Sequence, residues 1–189
     1  NAALYAVGAQ ADLAGEITVV GGKVYLSYPE GAASRTESPA ETHTGAALLV
    51  AATVPEWRSV SVRSAIRFEE IDTAIAGLAA AAGLNSDARF PFLVEGELQD
   101  LQWHVIDGAR LTARGMSHED HLAAAVRDTL ERATPTLIGF YSKSEQGNLP
   151  NMGSCTHIHC VMSAPLASGH VDHVVIPEGA TVRFPAPRK

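Results

Sequence analysis

Apolar and polar positions alternate with period two over much of the chain's first third. Glu16 to Tyr28 (EITVVGGKVYLSY) sets Gly21-Gly22 between two apolar, β-branched runs, which predicts a β-hairpin. Ala46 to Val54 (AALLVAATV) and Val60 to Ile66 (VSVRSAI) read as further strands, with Pro55 between them. Pro29 to Thr44 is rich in Ser, Thr, Pro, Gly and Glu and reads as a surface loop. From Phe68 the period changes. Phe68, Ile71, Ile75, Leu78 and Ala82 fall on one stripe, predicting a helix over 68–82 with Gly83 at its C′ position. Phe92 to Ile106 returns to alternation, with Gly96 as a bend. Ser117 with Asp120 reads as a helix start; Leu122, Val126, Leu130 and Ala133 share a helical face, and Pro135 ends it. Thr136 to Tyr141 (TLIGFY) reads as a buried strand. After a loop over 142–153 come strands around 155–163 and 169–176, then a last strand at Ala180 to Phe184 before a Pro-rich tail. Many strands with two inserted helices predict an α+β fold, mainly antiparallel β-sheet or barrel-like.

Bulk properties narrow the function classes. The chain has 189 residues, which suits a single domain over 1–189, and it is 46% hydrophobic and 19% charged. Its formal net charge is −7, and it has no basic run or basic amphipathic helix. This argues against nucleic acid and anionic membrane as partners, but leaves room for a small acidic substrate held by local charges. No apolar run approaches the roughly 20 residues that span a bilayer. The sequence starts at Asn1 without a basic, apolar leader, as a processed or trimmed chain would, and so leaves secreted and cytoplasmic locations both open.

Candidate chemistry concentrates near the C-terminal end, in CTHIHC (155–160) and SGHVDH (168–173). Residues i and i+2 of a strand project from one face, so His157 and His159 can reach one metal ion. The turn-forming stretch MSAPLASG (162–169) brings His170 back beside them. Three histidines with an open position describe a catalytic rather than a closed structural metal site. Cys155 shares their parity and is a candidate fourth ligand, or a small buried residue. Cys155 and Cys160, five residues apart, point to opposite faces of a strand, which argues against a disulfide. His173 has the wrong parity for the site and reads as surface, while His43, His118 and His121 read as solvated.

These residues resemble the acetolactate decarboxylase family. GFYSKSEQGNLPNMGSCTHIHC followed by SGHV is similar to its G-F-Y/R strand, N-x-P loop, H-x-H pair and third histidine in a G-G-H-V turn. ADLAGEITVVGGKVY resembles its L-D-G-E hairpin, and FEEIDTAIAGLAAAAG with FPFLVEGELQDLQWHV resembles its helix and following strand. The resemblance runs in order over nearly the whole chain, with a divergent and, at both ends, shortened sequence. It implies a metal-dependent lyase that decarboxylates 2-acetolactate, or a related 2-hydroxy-3-keto acid, to acetoin. The metal acts as Lewis acid and stabilises the enediolate. His157, His159 and His170 are the implied ligands of a divalent metal, zinc in the family, with copper or another transition metal also compatible with imidazole. Glu16 falls on the glutamate of the L-D-G-E motif and is the implied catalytic acid.

The sequence departs from the family where an arginine is expected: Gln102-Trp103-His104 stands there, with His104 in the arginine's place. His104 cannot form the arginine's bidentate fork, but can donate a hydrogen bond to a carboxylate or add a metal ligand. Two alternatives to the decarboxylase therefore stay open: the same three-histidine scaffold running another lyase, isomerase or oxidative reaction, and a non-catalytic metal- or ligand-binding module. A homodimer is a further expectation, from the tendency of exposed sheet edges to pair.

Overall fold

The computed structural model describes residues 2–111, 118–143 and 154–186, with only the backbone at 118, 119 and 121. Thirteen strands and two helices follow one another as β1 (Ala3–Gln10), β2 (Glu16–Val20), β3 (Lys23–Glu30), β4 (Ala33–Glu37), β5 (Ala46–Val54), β6 (Trp57–Ser61), α1 (Ile71–Ala81), β7 (Phe90–Glu95), β8 (Leu98–Val105), α2 (His118–Ala124), β9 (Val126–Ala133), β10 (Thr136–Tyr141), β11 (Thr156–Ser163), β12 (Leu166–Val175) and β13 (Thr181–Pro185). The strands form two sheets. The smaller runs β4-β3-β2-β1-β5; the larger runs β6-β13-β7-β10-β11-β12-β8-β9. The assigned strand pairs are antiparallel, as the alternation predicts for an α+β fold of this kind.

The sheets stack in layers. Tyr5, Val7 and Val54 of the small sheet pack on Leu93, Ile138 and Phe140 of the large one. On its other face the large sheet carries a larger apolar core, in which Ile71, Ile75 and Ala79 of α1 meet Phe92, Trp103, Ile158 and Val171. The α1 stripe is therefore the one its sequence period predicts. The β2–β3 hairpin also forms where expected. Gly21 and Gly22 turn it at φ +62° and +84°, the pair of positive φ values that a right-twisting two-residue hairpin requires.

Four stretches differ from the expectation. Residues 118–133 are not one helix: α2 ends at Ala124 and β9 follows as an edge strand against β8, while Ser117, the expected start, lies outside the described residues. The spacing of Leu122, Val126 and Leu130 by four is the cause. An offset of four keeps a residue on one face of a helix, and being even, on one face of a strand too. The supposed surface loop at 29–44 contains β4. Its Ser and Thr side chains suit an outermost strand, and Thr36 hydrogen-bonds Ser27 at 2.9 Å. β1, in a stretch read without a strand, lies between β2 and β5. The strand expected at 60–66 runs instead over Trp57–Ser61, and Ile66 adds an isolated bridge to Ile176. No helix among the described residues is long and apolar enough to cross a membrane.

Candidate metal centre

Antiparallel register builds the site. His159 of β11 lies opposite His170 of β12, and His170 lies opposite His104 of β8. Three neighbouring strands thus carry a row of imidazoles across the sheet, on the face that meets the small sheet. His157 stands two residues before His159, on the same face. Gly169 allows this closeness: a Cβ there would sit 2.5 Å from the His104 carbonyl oxygen and 2.7 Å from the Trp103 ring. The ring centroids are 4.7 Å apart for His104–His170, 5.0 Å for His157–His159, 5.0 Å for His157–His170 and 5.6 Å for His159–His170.

The small sheet closes the site from the opposite side with Glu16 and Thr18, which are two residues apart on β2. Glu16 Oε1 accepts a hydrogen bond from the Ile106 N–H at 3.2 Å, and its Oε2 lies 3.8 Å from His159 Nε2. Thr18 Oγ1 is 2.8 Å from His159 Nδ1 and accepts a hydrogen bond from Ser168 Oγ at 2.8 Å. Ser27 Oγ donates to the Ser168 carbonyl at 2.7 Å. All five residues singled out in the sequence, Glu16, His104, His157, His159 and His170, are buried here together.

Burial sets the charge state of this enclosure. It pushes the Glu16 carboxyl up to about 7, although nearby His104 pulls in the other direction. It holds His157 and His159 well below the usual histidine range, helped by mutual repulsion among the imidazoles. Glu16 and His159 are therefore close without being a fixed ion pair. The charged pair is His104 with Asp172, whose Oδ1 lies 2.8 Å from His104 Nδ1. Burial opposes the charge on His104, but the Asp172 hydrogen bond and charge, with Glu16, outweigh it and raise its pKa. Burial also opposes the charge on Asp172, yet His104 and His170 hold it well below the ordinary carboxylate range.

The residues suit a divalent cation. His157 Nε2 and His159 Nε2 are 3.2 Å apart, and His157 Nδ1 is buried without a partner among the described residues. Two nitrogens bound at the usual zinc distance on tetrahedral positions stand about 3.3 Å apart. Uncharged imidazoles keep the lone pair a metal needs. Thr18 accepting from His159 Nδ1 would leave that lone pair on Nε2. Among the described residues, a group of three ligand-type atoms that all lie within 4.8 Å of one another is a different one, made by His104, His170 and Asp172. His170 belongs to both sets.

Asp172 was not singled out in the sequence, and neither was Thr18. The rule that paired His157 with His159 also points to Thr18, two residues beyond Glu16; Asp172 is two beyond His170, but there the register shift after Val171 breaks the rule. Cys155 does not join the histidines. It precedes β11, packs in the apolar core on the α1 side together with Cys160, and gives its N–H to Asp72 Oδ2 at 2.6 Å. The two cysteines share a core rather than opposite faces, and both are free thiols. His173 is half-buried, its ring 5.6 Å from Phe68, because β12 breaks register between Val171 and His173. His43 is exposed; the His118 and His121 side chains lie outside the described residues. A cleft of about 900 Å³ is lined by Ile71, Asp72, Trp103, Arg127, Val171 and Asp172 among others, which puts it largely on the α1 side of the large sheet; none of the four site histidines lines it, and Asp172 is the residue it shares with them.

Over residues 5–186 the chain matches the model of the alpha-acetolactate decarboxylase family. It belongs to that family. Solved structures agree on the fold. The alpha-acetolactate decarboxylase of Bacillus subtilis strain 168 superposes with a TM-score of 0.68 at 14% identity, over 97% of this chain and 73% of that one. The acetolactate decarboxylase of Bacillus subtilis subspecies spizizenii gives 0.70 at 14% identity, over 97% and 74%. A Staphylococcus aureus protein of unknown function, described as similar to alpha-acetolactate decarboxylase, gives 0.69 at 11% identity, over 95% and 72%. No curated protein matches the sequence. This alpha-acetolactate decarboxylase family member has thus kept the fold while its sequence has moved far from those structures.

Proposed function

We propose that this chain, acting as one unit over residues 1–189, is a metal-dependent carbon–carbon lyase. Its substrate is 2-acetolactate or a related branched 2-hydroxy-3-keto acid, which it decarboxylates to acetoin or the corresponding hydroxyketone. The observation that carries this is the enclosure of three buried histidines with a carboxyl of raised pKa, between two sheets of the family's fold. His157, His159 and His170 would hold the metal, with zinc the first choice for a nitrogen-rich set. When bound, the metal supplies Lewis acidity that withdraws charge from the substrate's oxygens.

The protein's own groups supply the rest. As the bond to the carboxylate breaks, carbon dioxide leaves and its electron pair stays on the adjoining carbon. Glu16, close to half protonated at neutral pH, gives its proton to that carbon. His104, held as a cation by Asp172, offers its remaining N–H to the substrate carboxylate. This is one hydrogen bond where a guanidinium gives two. The replacement at His104 is also what favours the second reading, in which the same scaffold runs a different reaction on an acidic substrate. We extend the reading to a homodimer through β5, an edge strand whose Leu49 is 48% exposed. Sedimentation at increasing protein concentration tests it, and a single monomeric species would remove it.

Acetoin formation from racemic 2-acetolactate by zinc-loaded protein, with His157→Ala as control, is the deciding assay. Turnover lost in the variant supports decarboxylation. Zinc-loaded protein without turnover overturns it in favour of a changed reaction.

A further inference from the structure

We propose that Asp172 is a positioning residue that fixes the tautomers of two histidines at once, so that His104 and His170 both carry a proton on Nδ1 and turn Nε2 to the site. It rests on the metal-holding role given above to His157, His159 and His170.

The geometry is specific. Asp172 Oδ1 is within hydrogen-bond length of His104 Nδ1 at 2.8 Å and lies 3.7 Å from His170 Nδ1, where its charge rather than a direct hydrogen bond favours a proton. An ionised carboxylate can only accept, so a nitrogen facing it is favoured as N–H. A neutral imidazole has one N–H to place; putting it on Nδ1 leaves the lone pair on Nε2. Metal-bound histidines depend on such a carboxylate to set ring orientation and basicity.

The three residues come from two paired strands whose regular register ends here. His170 and His104 are directly opposite, and the register shifts after Val171. A shift of this kind re-aims the next side chain, and Asp172 is the side chain concerned. The nearby Glu16 does not share the task, because its Oε1 is taken by the Ile106 N–H and it faces His159. His159 is instead held at Nδ1 by Thr18, a hydroxyl that can either donate or accept. The site therefore has one half oriented by a carboxylate and one half by a hydroxyl.

The same atoms admit a rival occupant. His104, His170 and Asp172 offer three ligand-type atoms close enough to take a second cation. The contact at 2.8 Å is that of a charge-assisted hydrogen bond, and the orienting role needs no further ion.

The test has two arms. Long-range proton–nitrogen NMR of metal-free wild-type protein reads the imidazole tautomers directly. Both His104 and His170 should show protonated Nδ1, and His170 should show an unprotonated Nε2. A His170 protonated on Nε2 overturns the proposal without any variant. Zinc affinity is then measured by competition with a chromophoric chelator for wild type, Asp172→Asn, Asp172→Glu and His104→Gln. Wild type should bind one zinc per chain. Asp172→Asn should bind it about 10- to 100-fold more weakly, with partial recovery in Asp172→Glu and no loss in His104→Gln. Equal affinity in wild type and Asp172→Asn overturns the proposal. So do two zinc ions per chain, one lost in both Asp172→Asn and His104→Gln, which would make the cluster a cation site of its own. Wild type that binds no zinc fails the metal reading itself, whereas the NMR arm still judges the tautomers.

Discussion

The two faces of the large sheet use the same strands for opposite ends. Trp103, Ile158 and Val171 point towards α1 and belong to the apolar core. Their chain neighbours His104, His159 and His170 point towards the small sheet and are about as well buried. Burying an apolar side chain stabilises the fold by roughly 1.5–3 kcal/mol. Burying an imidazole without full hydrogen bonding costs about 1–3 kcal/mol. One face therefore holds the sheet together, while the other gives up part of that stability to keep imidazoles inside. The strand period of two keeps these roles one residue apart.

Exchanging the roles is the strongest way to break the comparison. His159→Leu should lower zinc-dependent turnover by at least about 10³-fold, yet leave metal-free protein at least as stable as wild type, because it exchanges the cost of a buried imidazole for apolar burial. Activity assays and urea titration read the two effects; a collapse of stability would show that the histidine face is structural. Ile158→Ala should do the reverse. It should cost about 2–5 kcal/mol in the same urea titration, and the folded fraction should keep its zinc affinity. Loss of zinc affinity beyond the unfolded fraction would join the faces into one unit.

Glu16 sharpens the comparison through pH. Its carboxyl stands at about 7 in the folded protein against 4.5 as its ordinary value. Between those values the folded protein holds a proton that the unfolded chain has released. Glu16's contribution is therefore complete below the lower value and is lost as pH rises through the upper one. The displacement corresponds to on the order of 3 kcal/mol. Relative to Glu16→Gln, metal-free wild type should become less stable by up to that amount between about pH 5 and about pH 8. A pH-independent difference in denaturation midpoints would contradict it. The smallest effect is expected at Leu130, on the outside of β9 and 38% exposed. Leu130→Lys should change stability by no more than about 0.5 kcal/mol. A large loss on thermal unfolding would mean that this position is covered, as a helix stripe would be.

Particular residues show what was legible beforehand. Gly21-Gly22 and the α1 stripe were, because a turn that needs positive φ and a period near 3.6 leave few alternatives. The nearness of His157, His159 and His170 on one face was, because strand parity and one short turn suffice to bring them together. The β9 segment was not, since its apolar spacing satisfies helix and strand alike. Its pairing to β8, which decides the matter, is a tertiary fact. Asp172 was hidden differently. It lies two residues past His170, but it gains its meaning from His104, sixty-eight positions earlier. The place of Glu16 against His159 likewise depends on how the two sheets stack.

The row His104–His170–His159 has a consequence for inheritance. Each member is fixed by which residue of one strand faces which residue of the next, and β11 and β12 are joined by only Ala164 and Pro165. A substitution in these strands changes one side chain. A single inserted or deleted codon within them would instead turn every following side chain to the other face and put Val171 or Ile158 where an imidazole belongs. Descendants of this chain can therefore drift far in spelling, as its 14% identity to the Bacillus subtilis structures shows, provided that the lengths of three strands and one two-residue turn are copied faithfully.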